Sequence, residues 1–190
     1  MQPATIVVIV ILLAYGLAEF LRSDLFSKKE QCRNDGITEA ISTFMLLIVT
    51  QPLIIASVSL LGQRYFPEYQ GTLGGLSVWA AILLFLLLDD MMQYWWHRAS
   101  HSPLLWPLHR AHHSAQYMSI RVTFRNNFFY YLMMPGLWFA GILLYLGVGG
   151  MVYAMYIVVK LAVILGAHCA WRWDEALYRI PALRPLMWVL

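Results

Sequence analysis

Six histidines occur in the 190-residue chain, His97, His101, His109, His112, His113 and His168, and five of them fall between positions 97 and 113. Their spacing suits chelation. His97 and His101 stand at i and i+4, and so share one face if the apolar helix before them continues. Pro103 cannot extend that helix and fits a turn after Ser102. Pro107 fits the start of a second short helix, where its missing N–H costs nothing. On that second helix His109 would meet His112 and His113 at i+3 and i+4. Two sets of imidazoles are then presented from two elements joined by a short turn, an arrangement that can converge on metal.

Imidazole serves iron, zinc, copper and nickel alike, so the ligand type leaves the metal open. The zincin pattern H-E-x-x-H fails, because Arg98 holds the place of the general-base glutamate. Cys32 and Cys169 have no CxxC spacing and imply neither a thiolate zinc site nor a disulfide framework. Histidines that merely hydrogen-bond to lipid headgroups would not need two paired spacings in so short a stretch. His168 stands alone near a predicted helix end, where a lone imidazole is as readily a satisfied polar group as a ligand.

Three further residues are candidates for supporting the imidazoles. Asp90 precedes His97 by seven residues, about 20° short of two full turns, and therefore shares its face. Asp89 lies about 80° away. A carboxylate there would accept a proton from a ligand imidazole and fix its tautomer, or it would end the span in water and pair with Arg98. Tyr94 lies on the same stripe. Lys160 is the one charge deep in a predicted span, where a cation is costly; it either snorkels or faces the interior of the bundle. The aromatic and Met-rich stretch Phe128 to Trp138 reads as packing surface or as the wall of a lipid channel.

The elements that must carry these side chains belong to a membrane. Apolar residues make up 61% of the chain, charged residues only 12%, and mean hydropathy is +0.62. A soluble domain carries about 25% charge, so too little polarity is present to cover a water-facing surface. The net charge of +3, with no basic run longer than Lys28-Lys29, gives no nucleic-acid footprint. Crossing a hydrocarbon core about 30 Å thick takes about 20 apolar helical residues. Five stretches are expected to do so, at 4–21, 38–61, 73–96, 128–147 and 151–170. The first has no basic residue before Arg22 and is expected to be a retained span rather than a cleaved signal.

Loops 22–37 and 97–127 and the tail after 170 together hold eleven Lys and Arg, whereas Arg64 alone falls in the other loops. Positive charge stays on the cytoplasmic side, which predicts an outside N-terminus and a cytoplasmic histidine cluster. The expected fold class is all-α: a polytopic integral membrane protein of about five transmembrane helices with a cytoplasmic histidine-rich helical segment. No repeat or linker divides it. Residues 1–190 read as one membrane domain, with N-terminal helices over 1–72 and a catalytic region over 73–190.

The run from Asp89 to His113 resembles the fatty acid hydroxylase and sterol desaturase superfamily, membrane enzymes whose boxes H-x3-H and H-x2-H-H hold a di-iron centre. His97 with His101 matches the first box, and His109 with His112 and His113 the second. His168 in Ala167-His168-Cys169 is similar to the family's isolated histidine, usually written H-x-N, although Ala170 replaces the asparagine. The resemblance implies that all six histidines ligate metal, with two irons in the complete site and O2 as co-substrate. It implies hydroxylation or desaturation of a lipid drawn from the bilayer, such as a sterol or fatty acyl chain. No flavin, haem or nicotinamide motif is present, so an external donor of ferredoxin or cytochrome type would bring electrons. The membrane would be a bacterial inner membrane or the endoplasmic reticulum. Family members carry a further H-x2-H-H box after a segment like Arg184 to Leu190, so the chain is expected to stop short of its last box. The rivals are a non-catalytic subunit or pseudoenzyme, a zinc-dependent membrane hydrolase and a bis-histidine haem protein.

Overall fold

The computed structural model describes residues 3–22, 32–169, 171 and 175–183. Every regular element among them is helical. Helix α1 covers Pro3–Arg22. Helix α2 (Asp35–Phe44) passes through a π-turn, Met45–Thr50, into α3 (Gln51–Tyr65), so that Asp35–Tyr65 is one rod of 31 residues. Helix α4 (Val78–Ser100) starts where Ser77 Oγ accepts the Ala80 N–H at 3.3 Å, a side-chain N-cap. After the short α5 (Trp106–His109) and α6 (Phe128–Leu132) come α7 (Pro135–Tyr145), α8 (Gly150–His168) and the one-turn α9 (Glu175–Tyr178).

Among the described residues three helices, Asp35–Tyr65, Val78–Ser100 and Gly150–His168, are long and apolar enough to cross a membrane, whereas Ile9–Leu21 within α1 and Pro135–Tyr145 are shorter apolar stretches. The expected count of about five spans is not confirmed among these residues. The expected span 128–147 is broken, because Pro135 ends α6 early and opens α7 instead. Trp138 Nε1 donates to the Leu132 carbonyl at 2.7 Å and satisfies an acceptor that the break exposes. With 11 residues, α7 rises only about 16 Å, roughly half of a hydrocarbon core. The third expected span also shifts, starting at Val78 rather than 73 and running on to Ser100.

The helices nevertheless alternate in direction. The α3–α4 and α7–α8 turns meet at one end, where Gly71 N donates to Tyr145 O at 3.3 Å and Leu73 N to Leu146 O at 2.7 Å. Gly147 is required there. Its φ of +96° completes the C-cap of α7, and a Cβ on it would lie 2.6 Å from Gly71 Cα. Gly62 and Gly141 let α3 and α7 approach closely, Gly62 facing the Tyr145 ring and Gly141 facing Val58. A core of Ala81, Phe85, Ala140, Leu143, Val148, Val152 and Tyr156 joins α4, α7 and α8. Helix α1 lies on α8, with Tyr15 donating to the Ala162 carbonyl at 3.0 Å.

Within the bundle, Lys160 Nζ lies 2.6 Å from Asp89 Oδ1 and 3.1 Å from the Tyr156 hydroxyl. Of the two destinations expected for Lys160, the structure thus gives the interior of the bundle. Outward surfaces are apolar, Leu13, Leu60, Trp79, Leu87 and Met151 each being well exposed.

Candidate metal centre

The opposite end of the bundle gathers the histidines. Helix α4 carries His97 in its last turn, and His101 is its C-cap. Ser102 N then bonds to Ala99 O at 2.9 Å, and the chain turns through Pro103 as expected. Pro107 stands at the start of α5. That helix ends at His109, and His112 and His113 lie on a separate 3-10 turn, His112–Ser114, rather than on one continuous helix. Arg110 and Ala111 keep right-handed helical dihedrals, so the i, i+4 relation of His109 to His113 survives the break. His168 arrives from elsewhere, on the last turn of α8.

All six imidazoles are brought together. His97, His101, His109 and His113 each offer a nitrogen within 4.8 Å of the other three. His97 and His101 approach Nε2 to Nε2 at 3.2 Å, and His109 and His113 at 3.0 Å. His112 and His168 form a third such pair at 3.3 Å. Two nitrogens held at about 2.0–2.1 Å from one ion stand about 2.8–3.4 Å apart, from cis octahedral to tetrahedral geometry. The three pairs fall in that range, so the residues present fit a metal.

The faces turned outward from the cluster agree. His109 Nδ1 donates to Asn126 Oδ1 at 2.9 Å, and His168 Nδ1 donates to the Ile164 carbonyl at 2.7 Å. Each bond fixes the proton on Nδ1 and leaves the Nε2 lone pair directed at the neighbouring imidazoles. Tyr130, itself buried, stacks on His109 with centroids 4.9 Å apart. Burial pushes His109 down to about 4 and His112 to about 3, and His168 adds to the effect on His112. His113 is also lowered, by burial first and then by His101. Each of these shifts favours the neutral imidazole, the form that ligates metal. His112 Nδ1 is buried with no hydrogen-bond partner among the described residues, an unmet polar group beside the cluster.

The carboxylate support expected on α4 is placed differently. Asp89 is held by Lys160 and not by an imidazole. Asp90 is exposed. Tyr94 is exposed as well, its hydroxyl accepting from Arg98 at 2.8 Å, so it does not back the histidines. The residue that does fix the tautomer of a clustered histidine, Asn126, carries no signal in the sequence. It lies 17 residues beyond His109, with no periodic relation to it. A depression of about 500 Å3 opens beside His113, lined by Trp106, Pro107, Arg110, Ala111, Ser114 and Asn127. The segment Arg184 to Leu190, with Lys28, Lys29, Arg172 and Trp173, lies outside the described residues.

Residues 82–187, more than half of the chain, match the family model described as fatty acid hydroxylase, and all six histidines fall inside the match. No curated protein and no solved structure matches the chain.

Proposed function

Because the chain belongs to the fatty acid hydroxylase family, we propose that it is the histidine-bearing core of a membrane oxidoreductase that hydroxylates or desaturates a lipid. The six convergent imidazoles carry this reading. His97, His101, His109 and His113 would hold one iron and His112 with His168 would contribute to a second, the grouping that the nitrogen separations support. Iron bound in this ligand set would supply the O2-dependent oxidation of an unactivated C–H bond.

The chain's own residues set the conditions. Asn126 and the Ile164 carbonyl keep protons off the ligating nitrogens of His109 and His168. Tyr130 lays an aromatic face on His109 and is backed in turn by Trp96, the two rings 5.5 Å apart. The depression beside His113 would give access to the cluster. In this reading the histidine end is cytoplasmic, the substrate arrives along the apolar helix surfaces, and an external ferredoxin or cytochrome-type donor delivers electrons. Of the two carboxylates that could serve the zinc-hydrolase alternative as its base, Asp89 is committed to Lys160 and Asp90 is exposed.

The test is metal analysis of the purified full-length protein by elemental and Mössbauer spectroscopy, with lipid products followed by mass spectrometry under 18O2. Two coupled irons and a product oxidised or desaturated only in the presence of O2 are expected. Stoichiometric zinc, or full turnover in a His112→Ala variant, would overturn the assignment.

A further inference from the structure

The loop that follows the histidines returns to the first two helices through buried charge, and those helices lie outside the family match. Glu39 Oε2 lies 2.8 Å from Arg121 Nε and 2.7 Å from its Nη2, a two-pronged contact. The Tyr117 hydroxyl donates to Glu39 Oε1. Asp35 Oδ1 lies 2.8 Å from Arg125 Nη1, and both side chains are 7% exposed. The second prong of Arg125 donates to Ser114 Oγ at 3.0 Å, on the residue directly after His113. The next residue along, Asn126, accepts the His109 proton. From α1, Glu19, 1% exposed, accepts from Ser119 Oγ at 2.7 Å and from the Ile120 N–H at 3.2 Å.

We propose that Glu19, Asp35 and Glu39 are positioning residues for the metal centre, clamping segment 114–126 so that Ser114 and Asn126 hold His113 and His109 in register. The loop has little regular structure of its own, only the 3-10 turn Ile120–Val122 between Ser114 and α6. Its placement therefore depends on side-chain contacts. Two acids four residues apart on α2 meet two arginines four residues apart on the loop, which fixes position along the rod as well as distance. A buried pair that loses one partner leaves an uncompensated charge, so removal of either side loosens the loop rather than relaxing it in place. The clamp acts on metal affinity through His109 and His113 and touches neither substrate nor metal itself.

This inference rests on the histidines being ligands, and its test separates the two ideas. Full-length protein in nanodiscs is titrated anaerobically with Co(II), the d–d absorption reporting the ligand field, and backbone hydrogen exchange is measured on the metal-free protein. Glu39→Gln and Arg125→Gln are each expected to weaken Co(II) binding about 10- to 100-fold, as loss of an outer support does. Exchange over residues 109–126 should rise in both while α4 and α8 keep their protection. The double variant Glu39→Gln/Arg121→Gln should lose less than the sum of its single changes. Should Glu39→Gln lose helix content outright, Tyr117→Phe and Ser119→Ala, which each remove one hydroxyl, decide the matter by the same exchange signal. Unchanged exchange over 109–126 in these variants, or Glu39→Gln binding Co(II) within twofold of wild type, overturns the clamp. Raised exchange in a protein whose wild type binds no Co(II) upholds the clamp and refutes the metal reading.

Discussion

Replacing Lys160 by Met tests the most consequential contact inside the bundle. Lys160 and Asp89 are 17% and 12% exposed at the side chain and 2.6 Å apart, with apolar helix on either side. The small worth of a solvated surface pair, about 0–1 kcal/mol, does not apply. Removing one partner of a buried pair costs about 3–5 kcal/mol because the remaining charge is stranded. At about 1.4 kcal/mol per decade, the folded-to-unfolded ratio falls by two to three and a half orders of magnitude. Loss of the bond to Tyr156 adds about 1 kcal/mol or less, so the stranded carboxylate dominates.

Asp89 cannot withdraw to water in the direction of α7, because Gly136 packs so closely that a Cβ there would lie 2.9 Å from its Oδ1. The double variant Lys160→Met/Asp89→Leu removes both charges and should recover most of the loss. Reversible unfolding in mixed detergent micelles, followed by tryptophan fluorescence, reads both numbers. A single variant within about 1 kcal/mol of wild type would mean that the pair is solvated. A double variant no better than the single would mean that the cost is packing and not charge. The pair also has a positional meaning. Asp89 stands eight residues before His97, and Lys160 eight before His168, each about 12 Å along its helix. It therefore levels the two helix-borne histidines with one another.

Other perturbations probe single links in the same structure. Asn126→Leu removes the acceptor of the His109 proton at 2.9 Å and should weaken Co(II) binding about 10- to 100-fold, with helicity unchanged by circular dichroism. Gly147→Ala strains a residue at φ +96° and drives a methyl into Gly71, so the melting temperature should fall. The neighbouring Gly149→Ala, whose Cβ meets nothing within 4 Å, should leave it close to wild type.

The histidine geometry was legible in the sequence because it is local. Pro103 and Pro107 fix where the chain turns, and i, i+4 spacing survives even though α5 stops at His109 and the next turn is 3-10. The support around the histidines was not legible in the same way. Asn126 reaches His109, and Asp35 and Glu39 reach Arg125 and Arg121, across separations that no helical period encodes. Asp89 and Asp90 show the limit of a periodicity argument. Sharing a face with His97 says which way a side chain points, but α4 turns that stretch to the exterior at Asp90 and Tyr94 and toward α8 at Asp89. The five-span expectation counted hydropathy through Pro135, where the backbone cannot continue as one helix.

The π-turn at Met45–Thr50 gives the chain slack in length. Leu46, Thr50, Ile54, Val58 and Gly62 are buried at a spacing of four. On a regular helix such a row wanders about 160° around the cylinder. The widened turn, in which Gln51 N reaches Leu46 O and Thr50 Oγ1 reaches Met45 O at 2.9 Å, takes in a surplus residue and returns about 100° of that drift. Deleting one residue inside Met45–Thr50 should collapse the bulge to ordinary helix with both halves still facing their partners. The same deletion four residues past Thr50 would swing Val58 and Gly62 away from α7. A deletion scan of folded yield should therefore show a tolerant window six residues wide, flanked by intolerant helix on either side.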